Sequence, residues 1–263
     1  MATHFTKRSF IRSLLILVGA SGSGSLLGQS TKPRFNVLVM TEAGGIHAPF
    51  VAAAKTWLSN QAAENNFAIH YIENAEPIND RFLDQYQLFI QLNYPPYMWS
   101  DTAKAAFQKY ITEGKGGWIG FHHATLLGEF DGYSIWPWFS DFMGGIRYKN
   151  YIADFAKATV RVEAKNHPCM KGLPASFEVQ KEEWYTYDKS PRPNVNVLAS
   201  VDESTYSPDS AIKMGDHPVV WSNERMKARN IYIFMGHHPD LLTNKAFTTI
   251  FRNAILWGAG KSE

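Results

Sequence analysis

From residue 35 onward, short apolar runs alternate with alanine-rich or amphipathic stretches, and this alternation limits what the chain can fold into more than any other feature. An apolar run without polar alternation suits a strand covered on both faces, as in parallel sheets joined by crossover helices. The pattern predicts strands over residues 35–40, 67–72, 88–92 and 118–121. Helices are expected over 49–64, after the Gly44-Gly45 turn, and from the N-cap pair Ser100-Asp101 to Glu113, with Gly114, Gly116 and Gly117 ending the second. The expected fold is a doubly wound α/β domain with a mostly parallel sheet.

The character changes between about residues 148 and 202. Strands are expected over 158–163 and 195–201, while Pro168, Pro174, Pro191 and Pro193 punctuate loops. This segment reads as an inserted or edge β-rich region and not as a separate domain. Two late strands, 219–221 and 231–235, are spaced as a hairpin, and a closing helix over 246–257 ends at Gly258 and Gly260.

The first 30 residues tell about location. Lys7 and Arg8 precede the apolar stretch 14–18 and a small-residue stretch 19–28, the order of a secretory signal. Thr6-Lys7-Arg8-Ser9-Phe10-Ile11-Arg12 also resembles a twin-arginine signal with lysine in the first arginine position, so both export routes stay open. Cleavage is expected between residues 24 and 30. The expected organisation is an export signal over 1–30 and one domain over 31–263, periplasmic or extracellular, with no stable membrane span after processing. A formal net charge of +2 supplies no concentrated basic stripe, so a nucleic-acid partner is not expected. Cys169 is the one cysteine in the chain, which excludes intramolecular disulfides and thiolate zinc knuckles. It reads as an inert small residue in a proline-flanked loop.

In open α/β sheets ligands collect beyond the carboxyl ends of the strands. Five of the nine histidines fall there: His47 after the first strand, His122 and His123 after the fourth, His237 and His238 after the late strand. Imidazole can shuttle protons near neutrality or bind a borderline metal such as zinc, and spacing does not decide between these. A capping or packed histidine is the plainer alternative for each one taken singly. Glu182 and Glu183 precede aromatic residues that can raise a carboxyl pKa, which suits general-acid work, although a solvated pair is as compatible. Tyr94, Tyr97 and Trp99, with Trp136 and Trp138, offer apolar faces for sugar rings as well as for core packing. The turn after residue 121, where α/β hydrolases and glutamine amidotransferases carry Ser or Cys, holds His122 and His123. No GxSxG, HExxH or Walker-type motif occurs after the signal.

Four segments then carry a resemblance. Gly116-Gly117-Trp118-Ile119-Gly120-Phe121-His122-His123-Ala124 resembles the glycine-rich strand and elbow of ThuA-like (trehalose utilisation) proteins. Lys181-Glu182-Glu183-Trp184-Tyr185, Asp216-His217-Pro218-Val219-Val220-Trp221 and the tail 232–260, with Met235-Gly236-His237-His238-Pro239, are similar to further motifs of that family. The resemblance spans residues 34–260. It implies a class I glutamine-amidotransferase-like (flavodoxin-like) fold without glutaminase activity. Carried over by position, it implies a site of His122, His237 and Glu183. His123 departs from a commoner small residue, and Lys227-Ala228-Arg229 departs from the family's glycine-containing turn.

The expected activity is acid–base chemistry on a sugar, a 3-keto-sugar or its glycoside, by lyase, isomerase or hydrolase action. His122, His237 and Glu183 are expected to be catalytic, and His47, His123, His238, Tyr94, Trp136 and Trp138 to bind substrate. No cofactor is required by the sequence, and a divalent metal such as zinc on His122 and His237 is left open. The alternative is a non-catalytic carbohydrate-binding protein outside the cytoplasm; a scaffold for a neighbouring enzyme is weaker. The partner is a small-molecule carbohydrate, and the oligomeric state is open.

Overall fold

The computed structural model describes residues 32–261. The expected export signal therefore lies outside the described residues. The first half reads β1 (Asn36–Thr41), α1 (Ala48–Asn65), β2 (Ala68–Ile72), α2 (Asp80–Leu83), β3 (Leu88–Leu92), α3 (Asp101–Glu113) and β4 (Gly117–Phe121). There follow α4 (Pro137–Phe142), β5 (Tyr148–Tyr151), β6 (Ala156–Val162), β7 (Ser176–Glu182), β8 (Tyr185–Tyr187), β9 (Asn196–Ser207), β10 (Pro218–Ser222), β11 (Asn230–Ile233) and α5 (Lys245–Gly258).

Nine strands form one sheet in the order β2-β1-β3-β4-β11-β10-β9-β6-β7. β1 pairs in parallel with β2 and β3, β4 with β3 and β11. The remaining neighbours, β11/β10, β10/β9, β9/β6 and β6/β7, are antiparallel. The β-rich region thus continues the main sheet, and its register is antiparallel. Among the described residues, only β5 and β8 stand apart, as a two-stranded ribbon.

Local chemistry explains the element ends. Ser100 Oγ accepts the Ala103 N–H at the start of α3, and Asn244 Oδ1 accepts the Ala246 and Phe247 N–H groups at the start of α5. α1 begins with a proline in its first turn, where an absent N–H costs nothing. At Gly117 a β-carbon would stand 2.3 Å from the Gly258 carbonyl oxygen, so this glycine is what lets α5 end against β4. One face of the sheet is held by aromatic rings: Phe107 stacks on Phe139 at 5.9 Å, and Trp118, Trp136 and Phe142 close around them. Each such buried side chain contributes about 1.5–3 kcal/mol. No helix among the described residues is long and apolar enough to cross a membrane.

Candidate functional site

β1, β3, β4 and β11 run the same way, so their carboxyl ends open on one edge of the sheet. From β11 to β7 the direction reverses four times, which restores it, and the carboxyl end of β7 reaches the same edge. This parity brings Glu182 and Glu183, then Tyr185 on β8, to histidines that follow β1, β4 and β11.

His47 is central. It is 1% exposed, and its ring centroid lies 5.1 Å from that of His122, 3.9 Å from His123 and 4.2 Å from His237. His122 takes the elbow position after β4, with φ of 39° in the left-handed region. Its backbone carbonyl accepts from Thr125 Oγ1 and from the Tyr232 hydroxyl, which hold the turn. His122 Nδ1 faces the Phe234 carbonyl oxygen at 3.2 Å, so Nδ1–H donates there and Nε2 carries the free lone pair. That Nε2 lies 2.8 Å from the Tyr185 hydroxyl and 3.5 Å from Glu183 Oε2. The same Glu183 oxygen is 3.9 Å from His237 Nε2.

Two further carboxylates order the cluster. Glu182 is fully buried and accepts the N–H groups of Glu183, Gly236 and His237, tying β7 to the loop after β11. Glu42, just past β1, places Oε2 at 3.2 Å from His47 Nδ1 and 3.1 Å from His123 Nδ1. Asn93, also with positive φ, donates Nδ2–H to the Gly236 carbonyl and locks that loop against the end of β3.

Burial sets the protonation. It pushes Glu182 up to about 8, against the three backbone N–H groups that favour its carboxylate. Burial also raises Glu183, opposed by neighbouring His47 and the Tyr185 hydroxyl. Glu42 goes the other way: burial would raise it, but His123 and His47 together lower it to about 2. Burial and neighbouring histidines hold His122 well below its ordinary value and bring His237 down to about 4. Tyr185 is raised well above the usual tyrosine range by burial and then by Glu183.

The cluster opens into a cleft of about 330 Å³, lined among others by Glu42, His47, His123, Tyr151, Glu183 and Tyr185. Ile46, 71% exposed, lines it, and Phe155, 42% exposed, packs on the cluster from another side with its ring 4.8 Å from that of His237.

Of the residues expected from sequence, His47, His122, His123, Glu183 and His237 are brought together. His238 sits one residue further and accepts the Asp240 N–H at Nδ1, capping a short turn. Tyr94, Trp136 and Trp138 are elsewhere: Tyr94 packs on Trp99, and both tryptophans belong to the aromatic layer around Phe107. Sequence reasoning missed Glu42, Asn93 and the role of Tyr185. Tyr185 was within reach, because residues 183 and 185 share a side in extended chain. Glu42 carried the same signal as the histidines, a position just past a strand end.

The model of the ThuA family, described as trehalose utilisation, matches residues 36–258. A solved protein described as ThuA-like from Bacteroides uniformis is 30% identical, with 89% of this chain and 94% of that one covered and a TM-score of 0.78. Another from Parabacteroides merdae is 19% identical over 88% and 92% of the two chains, with a TM-score of 0.65. The glutaminase domain of a Trypanosoma brucei CTPS shares the fold at 10% identity, covering 87% and 94%, with a TM-score of 0.52. No curated protein matches the chain. The fold is that of the class I glutamine amidotransferases, with histidine at the elbow.

Proposed function

The chain belongs to the ThuA (trehalose utilisation) family, and we propose that it is an enzyme acting on a sugar that carries a keto group, such as a 3-keto-glycoside. The observation that carries this reading is the composition of one cleft, where a histidine backed by a carboxylate, His123 on Glu42, lies with Tyr185 and Glu183. A carboxylate behind an imidazole fixes its orientation and stabilises its charged form, which suits a general base.

A 3-keto group acidifies the hydrogen on C2. In the proposed step His123 takes that proton, and the electron pair of the C–H bond moves into the carbonyl as an enolate. The enolate then collapses, the C1–O bond breaks, and the leaving oxygen receives the proton held on His123. The products are an unsaturated keto-sugar and an alcohol, with no net oxidation. Return of the proton to C2 on the opposite face gives the isomerase outcome instead. In this reading the Tyr185 hydroxyl, 2.8 Å from His122 Nε2, is the donor to the carbonyl oxygen, and Glu183 links His122 to His237 beside it. Tyr151 in the cleft wall and Phe155 beside His237 offer exposed faces for the apolar side of a sugar ring. With the export signal expected over residues 1–30, the proposal places this activity outside the cytoplasm.

The test is turnover of 3-keto-glucosides, followed by ultraviolet absorption of the unsaturated product and by release of the alcohol. His123→Ala and Glu42→Gln are expected to lower kcat by about 10²–10⁴ while the fold is kept. Sugar binding without turnover in the wild type would replace the enzyme by a carbohydrate-binding protein.

A further inference from the structure

We infer that His47, His122, Glu183 and His237 bind one divalent transition metal of the zinc class at the floor of the cleft. The inference rests on the enzyme reading only for what the metal would do, and on geometry for its presence.

One ligand atom from each of these four residues lies within 4.8 Å of the other three. In a tetrahedral site with bonds of about 2.0–2.1 Å, ligand atoms stand about 3.4 Å apart. The measured 3.5 Å from His122 Nε2 to Glu183 Oε2 is already at that spacing, and the 3.9 Å from His237 Nε2 needs a shift of a few tenths of an ångström at most. Three histidines and one carboxylate, without sulfur, is a donor set suited to zinc.

Two features independent of spacing point the same way. His47 is buried, its Nε2 makes no hydrogen bond, and its Nδ1 has only the Glu42 carboxylate at 3.2 Å. An unsatisfied buried imidazole costs about 1–3 kcal/mol per group unless something accepts its lone pair. The other feature is the outer shell. His122 gives its Nδ1–H to the Phe234 carbonyl, which fixes the tautomer whose Nε2 lone pair faces the cluster, and Glu182 clamps the backbone of His237. Metal-bound histidines are oriented in this way by their second nitrogen and by the carboxylates behind them.

Glu42, His47 and His123 form a neighbouring trio that shares His47. It offers three donors against four. The metal therefore belongs to the set of four. Its arrival on His122 Nε2 displaces the Tyr185 hydroxyl from that nitrogen and leaves the hydroxyl free to donate to a substrate oxygen.

The test is metal content and Co²⁺ spectroscopy on the purified protein, stripped with chelator and reloaded. One equivalent of Zn²⁺ is expected, with a rise in unfolding temperature on loading, and Co²⁺ is expected to give the strong visible bands of a four-coordinate site. His47→Ala, His237→Ala and the milder Glu183→Gln should each remove the bands, whereas Glu42→Gln should keep them. Glu182→Gln leaves all ligands in place and should weaken binding about 10–100-fold. No uptake by the stripped protein, or uptake unchanged in His237→Ala and Glu183→Gln, overturns the inference, as does loss of the bands in Glu42→Gln alone. These readouts are separate from turnover: metal bound in this way with no action on keto-sugars removes the substrate reading and leaves the site.

Discussion

Gly236 passes so close beneath His122 that a β-carbon on it would stand 2.8 Å from His122 Cβ and 2.9 Å from Asn93 Oδ1. The loop after β11 and the elbow after β4 are thus in backbone contact, and the glycine sets their separation. Gly236→Ala is expected to push the elbow aside and cost about 1–3 kcal/mol through overpacking. Urea unfolding should show that loss, and Co²⁺ absorption should show the distorted cluster. A variant with unchanged stability and spectrum would mean that the elbow gives way freely.

Tyr185→Phe removes the hydroxyl that lies 2.8 Å from His122 Nε2 and leaves the ring against Tyr148 and Phe234. Because only a donor at the reacting oxygen is lost, kcat is expected to fall about 10²–10³-fold with little change in KM. Steady-state kinetics on a 3-keto-glucoside separates the two. A fall confined to KM would place Tyr185 in ground-state binding.

Phe155 and Trp136 are expected to part company. Phe155→Ala, at an exposed ring beside His237 and His238, should raise KM about two- to tenfold and leave unfolding unchanged. Trp136→Ala empties a place in the aromatic layer next to Trp99, Phe107 and Phe139 and should cost about 3–5 kcal/mol. Thermal unfolding with kinetics on the same samples checks both, and a KM effect without destabilisation at Trp136 would return it to the substrate.

Away from the site, Glu203 gives the acid limb of stability. Burial alone would raise its carboxyl, but the His217 ring and the N–H groups of Met214 and Gly215 together hold it below its ordinary 4.5. A carboxyl lowered on folding stabilises fully above its unfolded value, and that contribution drains as pH falls through the folded value. Glu203→Gln is expected to be about 1–2 kcal/mol less stable at pH 7, with the gap to wild type narrowing below pH 4.5. Chemical unfolding from pH 7 to pH 3 follows this, and a gap that stays constant would refute it.

The parallel half of the sheet was legible because β1, β3 and β4 are buried on both faces and so read as nearly unbroken apolar runs; β3 and α3 fall on the expected residues. The antiparallel half was harder. β7 alternates exposed and buried positions with Glu178, Gln180 and Lys181 among them, and its run hides within a polar segment. The histidines were legible from their strand-end positions. Trp136 and Trp138 were not, since an aromatic pair after a strand is the same signal whether α4 folds back onto the sheet or opens toward a ligand. Here Phe107 and Phe142 supply a dry surface, and the pair turns inward.

The pairing of β4 with β11 also governs when the cluster comes into existence. β10, β9, β6 and β7 join β11 through contacts that are shorter in sequence, whereas Trp118 meets Asn230 across more than a hundred residues, and such distant pairings form late because loop closure precedes their reward. Refolding molecules therefore regain the local antiparallel pairings first and ligand affinity last, once β11 has docked on β4. A ligand that recognises only the finished constellation is linked to the global transition, so its binding should slow hydrogen exchange at the deepest amides of β4 and β11 as much as at the cleft.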